Sequence, residues 1–174
     1  MKPLNSSRGR GIYLSKNLRD IVNLNRGKEK YVVQKYIENP LIVMNRKFDL
    51  RQWVLVTDWN PLVVWMYAEP YLRFPASDFS FNNLNNKYAH LSNNSVCKNA
   101  KRVTIEHEIE GNMWSLDDFQ EHLESEFGYD VWTETIKKKV KKLVVDTMSS
   151  VQDMFVEKKC NMFELFGFDI MLDE

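Results

Sequence analysis

Three ionisable residues stand at alternate positions in Lys47-Phe48-Asp49-Leu50-Arg51, and the run continues through Gln-Trp-Val-Leu-Val-Thr to Asp58. Side chains alternate across a strand, so Lys47, Asp49 and Arg51 share a face with Trp53 and Leu55, while Phe48, Leu50, Val54 and Val56 take the other. Charges on an otherwise apolar ribbon are costly unless they are paired, hydrogen-bonded or engaged with a ligand. The pattern therefore admits an ion-paired sheet edge or a ligand site, and favours the second. A further carboxylate, Asp169, alternates with Gly167 on one side of Phe163–Leu172, with Phe166, Phe168 and Ile170 on the other. Beside a glycine that permits close approach it is a candidate Mg²⁺ ligand, because Mg²⁺ is usually held by one or two carboxylates plus substrate phosphates. It could equally pair with Arg51 or Arg73. The turn Ser6-Ser7-Arg8-Gly9-Arg10-Gly11 offers backbone N–H groups and two guanidiniums to a polyphosphate, without Walker A spacing. Gln34-Lys35-Tyr36-Ile37 could border a planar base or simply be core strand. No Ser-His-Asp or Cys-His order points to a side-chain nucleophile.

The elements that must position these groups follow from pattern. The basic turn leads into a short strand at Ile12–Leu14 and a helix from Asn17 to Leu24, ended by Arg26-Gly27-Lys28. Tyr31–Ile37 reads as a buried strand closed by Pro40. The charged strand turns at Trp59-Asn60-Pro61 into a partner from Leu62 to Ala68. Asn82–Asn99, rich in Asn, Ser and Lys, reads as a long loop. Ser115 and Asp118 form a capping box for a helix from Leu116 to about Phe127. Trp132, Ile136, Val140, Leu143, Val144, Met148, Val151 and Phe155 keep three-to-four spacing along a second helix reaching Val156. Lys137, Lys138, Lys139, Lys141 and Lys142 crowd its first half, as a solvated face or a docking face for an acidic partner.

With 174 residues, 44% hydrophobic and 13% aromatic, the chain can bury a core. A net charge of zero argues against a general nucleic-acid coat, and an RNA-binding module has neither an RNP-like motif nor basic charge to support it. Two distant cysteines, Cys97 and Cys160, no secretory leader pattern and no long apolar run lead us to expect a reduced, soluble, intracellular protein with packed thiols.

Taken together, seven ordered blocks resemble the tubulin tyrosine ligase-like family. They are Lys2-Pro3, Ser7–Ile12, Val33–Ile37, Lys47–Arg51, Leu72-Arg73-Phe74, His90-Leu91-Ser92-Asn93-Asn94-Ser95 and Phe163–Asp169. Phe48–Pro61, the Leu-Ser-Asn-Asn-Ser block and Asn112-Met113-Trp114-Ser115 look most similar to the tubulin glycylases. The resemblance implies an α/β, ATP-grasp-like fold with a mixed or antiparallel sheet and packed helices, in which ATP lies between two lobes. Residues 1–34 would belong to a central lobe and 35–174 to a C-terminal lobe. The family's pattern continues into a strand bearing a second carboxylate and an asparagine, so the chain is expected to be part of a longer catalytic domain.

Carried over residue by residue, the resemblance implies that Lys2, Arg8, Gly9, Arg10 and Gly11 meet the phosphates. Gln34, Lys35, Tyr36 and Ile37 would line the adenine pocket, and Lys47 and Asp49 would hold the phosphate and ribose side. His90, Leu91, Ser92 and Asn93 match a nucleotide-contacting loop, Arg51 and Arg73 would face the acceptor glutamate or acyl phosphate, and Asp169 would hold Mg²⁺. The implied reaction is ATP-dependent amide formation, joining glycine to glutamate side chains of tubulin. Lys137, Lys138, Lys141 and Lys142 would receive acidic tubulin tails. A member adding glutamate or tyrosine, or a non-catalytic nucleotide- or microtubule-binding remnant, is the alternative. Such a protein is expected as a monomer in the cytoplasm, on the cytoskeleton or in a cilium, with no nucleic-acid or membrane partner.

Overall fold

The computed structural model describes residues 1–27, 29–100, 109–155 and 162–173. Cys160 and Val156 lie outside them, and the helix expected to reach Val156 already ends at Val151, with a 3-10 turn over Gln152–Met154 after it. In chain order the elements are β1 (Lys2–Pro3), α1 (Leu18–Asn25), β2 (Tyr31–Val32), β3 (Ile42–Val43), β4 (Arg46–Lys47), β5 (Asp49–Trp59), β6 (Leu62–Met66) and β7 (Tyr71–Arg73). There follow α2 (Lys87–His90), α3 (Asn94–Cys97), β8 (Met113–Trp114), α4 (Leu116–Phe127), α5 (Lys137–Val151) and β9 (Glu164–Ile170). Helices and antiparallel sheets thus both contribute, as expected. The residues pack into two interleaved units: Met1–Phe48 with Arg73–Asn112 and Met171–Glu174, and Asp49–Leu72 with Met113–Ile170.

The second unit is built on β5. Along one edge β5 pairs antiparallel with β6, and along the other with β9, in a sheet of order β6-β5-β7-β8 with β9 on β5. Burial alternates along β5 as the sequence pattern requires: Leu50, Gln52, Val54 and Val56 are buried, while Asp49, Arg51, Trp53 and Leu55 are partly exposed. The apolar side receives α5, whose Val144 and Met148 pack on Val54 and Val56 with Phe166 and Phe168 alongside. Gln52 is the polar exception on the buried face. Its Nε2 donates to the carbonyls of Trp53 and Tyr67, 3.0 and 2.8 Å away, which satisfies it beside the stretch where β6 has ended and β7 has not begun. The partner of β5 stops at Met66, two residues short of the expected Ala68.

The capping box forms as read. Ser115 Oγ accepts from Asp118 N–H at 3.1 Å while an Asp118 carboxylate oxygen accepts from Ser115 N–H at 2.9 Å, and Gly128 ends α4 in the left-handed conformation at φ 77°. The second helix opens with a π turn over Trp132–Ile136 before α5, where Trp132 packs edge-on to Phe119 of α4.

In the first unit, α1 starts from the cap Asn17, whose side chain accepts from Arg19 N–H. Three expectations give way here. Ile12–Leu14 is not a strand: Gly11 turns the chain at φ 69°, and its pairing is the reciprocal backbone exchange of Tyr13 with Met1, without a strand. Tyr31–Ile37, expected as a buried strand, keeps ladder geometry only at Tyr31–Val32, where β2 meets the two-residue β1, and Val32–Lys35 and Ile37 are exposed. The stretch 82–99 is not one loop, since Asn86 caps α2 through its side chain and Asn93 precedes α3. Cys97 is buried, its thiol 3.6 Å from the carbonyls of Phe74 and Leu91, as expected for a packed thiol.

Candidate functional site

The first unit gathers most residues of the nucleotide reading into two groups, whereas Asp49 belongs to the second unit. An open cleft of about 830 Å³, within the range of small-molecule sites, is lined by Gln34, Lys35, Tyr36, Val33, Phe81 and Lys16 among others. Ile37 does not line it. Lys2 joins this group from β1, its Nζ donating to Gln34 Oε1 at 2.8 Å. The register Lys2 to Val32 fixes that reach, because the side chain then lies beside the extended chain leaving β2.

Tyr36 is held from behind. Its hydroxyl lies 2.9 Å from His90 Nδ1, and His90 Nε2 lies 3.2 Å from the Asn83 carbonyl. A carbonyl can only accept, so Nε2 carries the proton and Nδ1 accepts from the Tyr36 hydroxyl. Rings of Phe79 and Phe81 meet the pair edge-on. Lys47, 7% exposed at the end of β4, places its ammonium 5.7 Å from the Tyr36 ring centroid. Burial raises the Tyr36 hydroxyl to about 12. Burial, the largest influence, also lowers His90, helped by the Lys47 charge and opposed by the bond to Asn83. His90 is 3% exposed, so it backs Tyr36 rather than facing the cleft directly.

The second group is the basic turn. Arg8, Gly9 and Gly11 all take left-handed angles, φ 59°, 75° and 69°. The start of α3 buttresses it: Ser95 Oγ donates to the Arg8 carbonyl at 2.9 Å, and a Cβ on Gly9 would lie 2.8 Å from Asn93 Oδ1 and 2.9 Å from Val96. Glycine is thus required at position 9 twice over. Leu91, Ser92 and Asn93 are partly exposed, and Asn93 abuts the turn. Arg73 ends β7 partly exposed.

Sequence reasoning missed Arg46, 1% exposed in β4. Its Nη1 lies 3.2 Å from Asn112 Oδ1 and 3.4 Å from the Pro75 carbonyl, with Asp78 at 3.9 Å from Nε. Burial lowers its proton affinity and Asp78 opposes the shift. The β3–β4 register sets it opposite Val43, and it is buried together with its neighbour Lys47 rather than alternating with it.

The second unit brings Arg51 and Asp169 together. They stand directly opposite across β5 and β9, and Nε lies 2.7 Å from Oδ1, an ionic contact whose N–H is not aligned as a hydrogen bond. The expected pairing of Asp169 with Arg51 is formed. Asp49 begins the same strand on the same face. Among the described residues no group of three or more His, Cys, Asp or Glu side chains could hold a metal ion. Lys137, Lys138, Lys141 and Lys142 are exposed on α5, where Lys142 pairs with Asp146. No helix among the described residues is long and apolar enough to cross a membrane.

A model of the tubulin-tyrosine ligase family matches residues 1–174. The chain is 43% identical over 176 residues to Tubulin glycylase 3C of Tetrahymena thermophila, covering 100% of the chain and 16% of that protein. It is 41% identical over 182 residues to human Tubulin monoglycylase TTLL3, covering 100% and 23%. To Tubulin glycylase 3A of Drosophila melanogaster it is 42% identical over 184 residues, covering 100% and 18%. The chain thus spans less than a quarter of the length of these relatives. The chain belongs to the tubulin-tyrosine ligase family.

Proposed function

We propose that the protein containing this chain is an ATP- and Mg²⁺-dependent ligase that joins glycine to glutamate side chains of tubulin, and that its fold is an ATP-grasp with residues 1–34 in a central lobe and 35–174 in a C-terminal lobe. The observation that carries the reading is identity of 41–43% over essentially the whole chain to proteins named as glycylases. The cleft that collects Gln34, Lys35 and Tyr36 supports an adenine site, since an aromatic ring, an amide and a lysine suit a planar base. The left-handed Arg8–Gly11 turn supports phosphate binding through backbone N–H groups.

The reaction transfers the γ-phosphoryl group of ATP to the acceptor carboxylate, giving ADP and an acyl phosphate. The amine of glycine then attacks the carbonyl carbon, and phosphate leaves with one oxygen of the original carboxylate. Both steps build negative charge on oxygens, so fixed cations aimed at them lower the barrier. Lys2, Arg8 and Arg10 would hold the phosphates, Lys47 and Asp49 the phosphate and ribose side, and Arg51 and Arg73 the acyl phosphate. Leu91, Ser92 and Asn93 would border the nucleotide, with His90 fixing Tyr36 behind it. Asp169, on the exposed side of β9, fits a Mg²⁺ ion shared with substrate phosphates; the ion would neutralise phosphate charge. The exposed lysines of α5 would attract acidic tubulin tails.

Full-length protein supplied with ATP, tubulin and labelled glycine, glutamate or tyrosine tests the reading. Incorporation of glycine alone supports it. Incorporation of another amino acid replaces the substrate, and nucleotide binding with none incorporated favours a non-catalytic binding role. A cytoskeletal or ciliary location follows from the proposed substrate.

A further inference from the structure

On the exposed side of β5 and β9 four residues form a two-by-two block: Arg51 opposite Asp169, and Trp53 opposite Gly167. The Arg51 guanidinium bends along the sheet rather than out of it. Its Cζ lies 5.3 Å from the Trp53 ring centroid, within cation–π range, while Nε stays at Asp169. It can do so only because position 167 has no side chain. A Cβ there would lie 2.5 Å from Arg51 Nη1, 3.3 Å from Arg51 Cζ and 3.2 Å from Trp53 Cζ3. The backbone at Gly167 is ordinary strand, without a left-handed angle that would itself demand glycine. The requirement comes from the guanidinium.

We propose that Gly167 is a positioning residue for Arg51: with Trp53 it forms the seat that holds the guanidinium in one orientation beside Asp169. This rests on the proposed ligase reading for its functional consequence, though the seat itself is a structural claim. An arginine fixed before substrate arrives need not be ordered during the reaction, and a displacement of about 1 Å at a reacting group can lower turnover roughly 100-fold. The atom a methyl would meet first is the end of a flexible side chain, so substitution should move Arg51 and spare the strand.

The test uses the full-length protein with Gly167→Ala, Arg51→Ala, the double variant, and Trp53→Leu, which opens the seat from the other side without adding an atom. One readout is independent of catalysis: the Arg51 Nε–Hε resonance of ¹⁵N-arginine-labelled protein, assigned by its loss in Arg51→Ala. In the wild type it should carry the ring-current shift of Trp53, and in both Gly167→Ala and Trp53→Leu it should move toward the value of a solvated arginine. Turnover should fall at least tenfold in Gly167→Ala with KM for ATP little changed, and Gly167→Ala should cost nothing further in the Arg51→Ala background. An unmoved resonance in Gly167→Ala, or equal losses in the presence and absence of Arg51, would overturn the proposal. If the wild type ligates no amino acid yet the resonance moves as described, the seat stands and the ligase reading falls.

Discussion

At the scale of single residues, the chain places cations and their supports in separate small groups, and each group predicts something different. Lys47 is buried against Tyr36, so its ammonium has little freedom and its loss should be felt directly by a bound nucleotide. Lys47→Ala should weaken ATP binding by about 1.5–3 kcal/mol, the scale of a hydrogen bond to a charged group, measured by calorimetry on the full-length protein. Unchanged affinity would remove Lys47 from the site. His90 predicts a pH dependence. Its folded form is held below the ordinary 6.5 because burial and the nearby Lys47 disfavour the imidazolium. The unfolded state therefore binds the proton more readily, so His90's contribution is fully present above pH 6.5 and is lost as pH falls below it. Thermal melts at pH 7.5 and 5.5 should show a drop that shrinks in His90→Gln; an equal drop in both proteins would assign it to other groups. Of these residues the sequence displayed Asp49, Arg51 and Asp169 through strand alternation, because a period of two is written locally; Lys47, expected on the same face, is instead buried in β4, a separate strand that pairs with β3. It could not display the bond between Tyr36 and His90, 54 positions apart, nor the role of Arg46, whose burial depends on residues far along the chain.

Individual elements show the same division between local and distant causes. The start of α4 was legible because it is set by Ser115 and Asp118, three residues apart in the chain. Ser115→Ala removes the cap and should cost about 1 kcal/mol, read from chemical denaturation; no loss would mean that packing of Phe119 and Leu123 alone fixes the helix start. The strand β5 was legible because an exposed and a buried side alternate along it. By contrast Tyr31–Ile37 has the composition of a strand but meets only a two-residue partner, and pairing is a property of two segments. The stretch 82–99 carried a capping asparagine, Asn86, that looked like loop composition, since Asn serves both turns and helix starts. Core packing of α5 on β5 makes a further prediction: Met148→Ala, at a site 4% exposed, should destabilise the second unit by about 2–4 kcal/mol. A change below 1 kcal/mol would mean the neighbours collapse into the space.

Across the chain as a whole, a net charge of zero means that any attraction it offers an acidic partner is focal. The exposed lysines of α5 provide such a focus. Reversing Lys137, Lys138 and Lys141 to glutamate should weaken binding of an acidic tail peptide by the full-length protein, and the wild-type affinity should fall steeply with added salt. Salt-independent binding would place the tail elsewhere. The proposed chemistry, in which a glutamate carboxylate becomes an amide through an acyl phosphate, leaves its trace in oxygen transfer. A tail peptide whose glutamate carboxylates carry ¹⁸O is incubated with ATP, Mg²⁺, glycine and the full-length protein, and the released inorganic phosphate is examined by mass spectrometry. One ¹⁸O is expected in phosphate for each glycine joined. Glycine incorporation with unlabelled phosphate would contradict that chemistry.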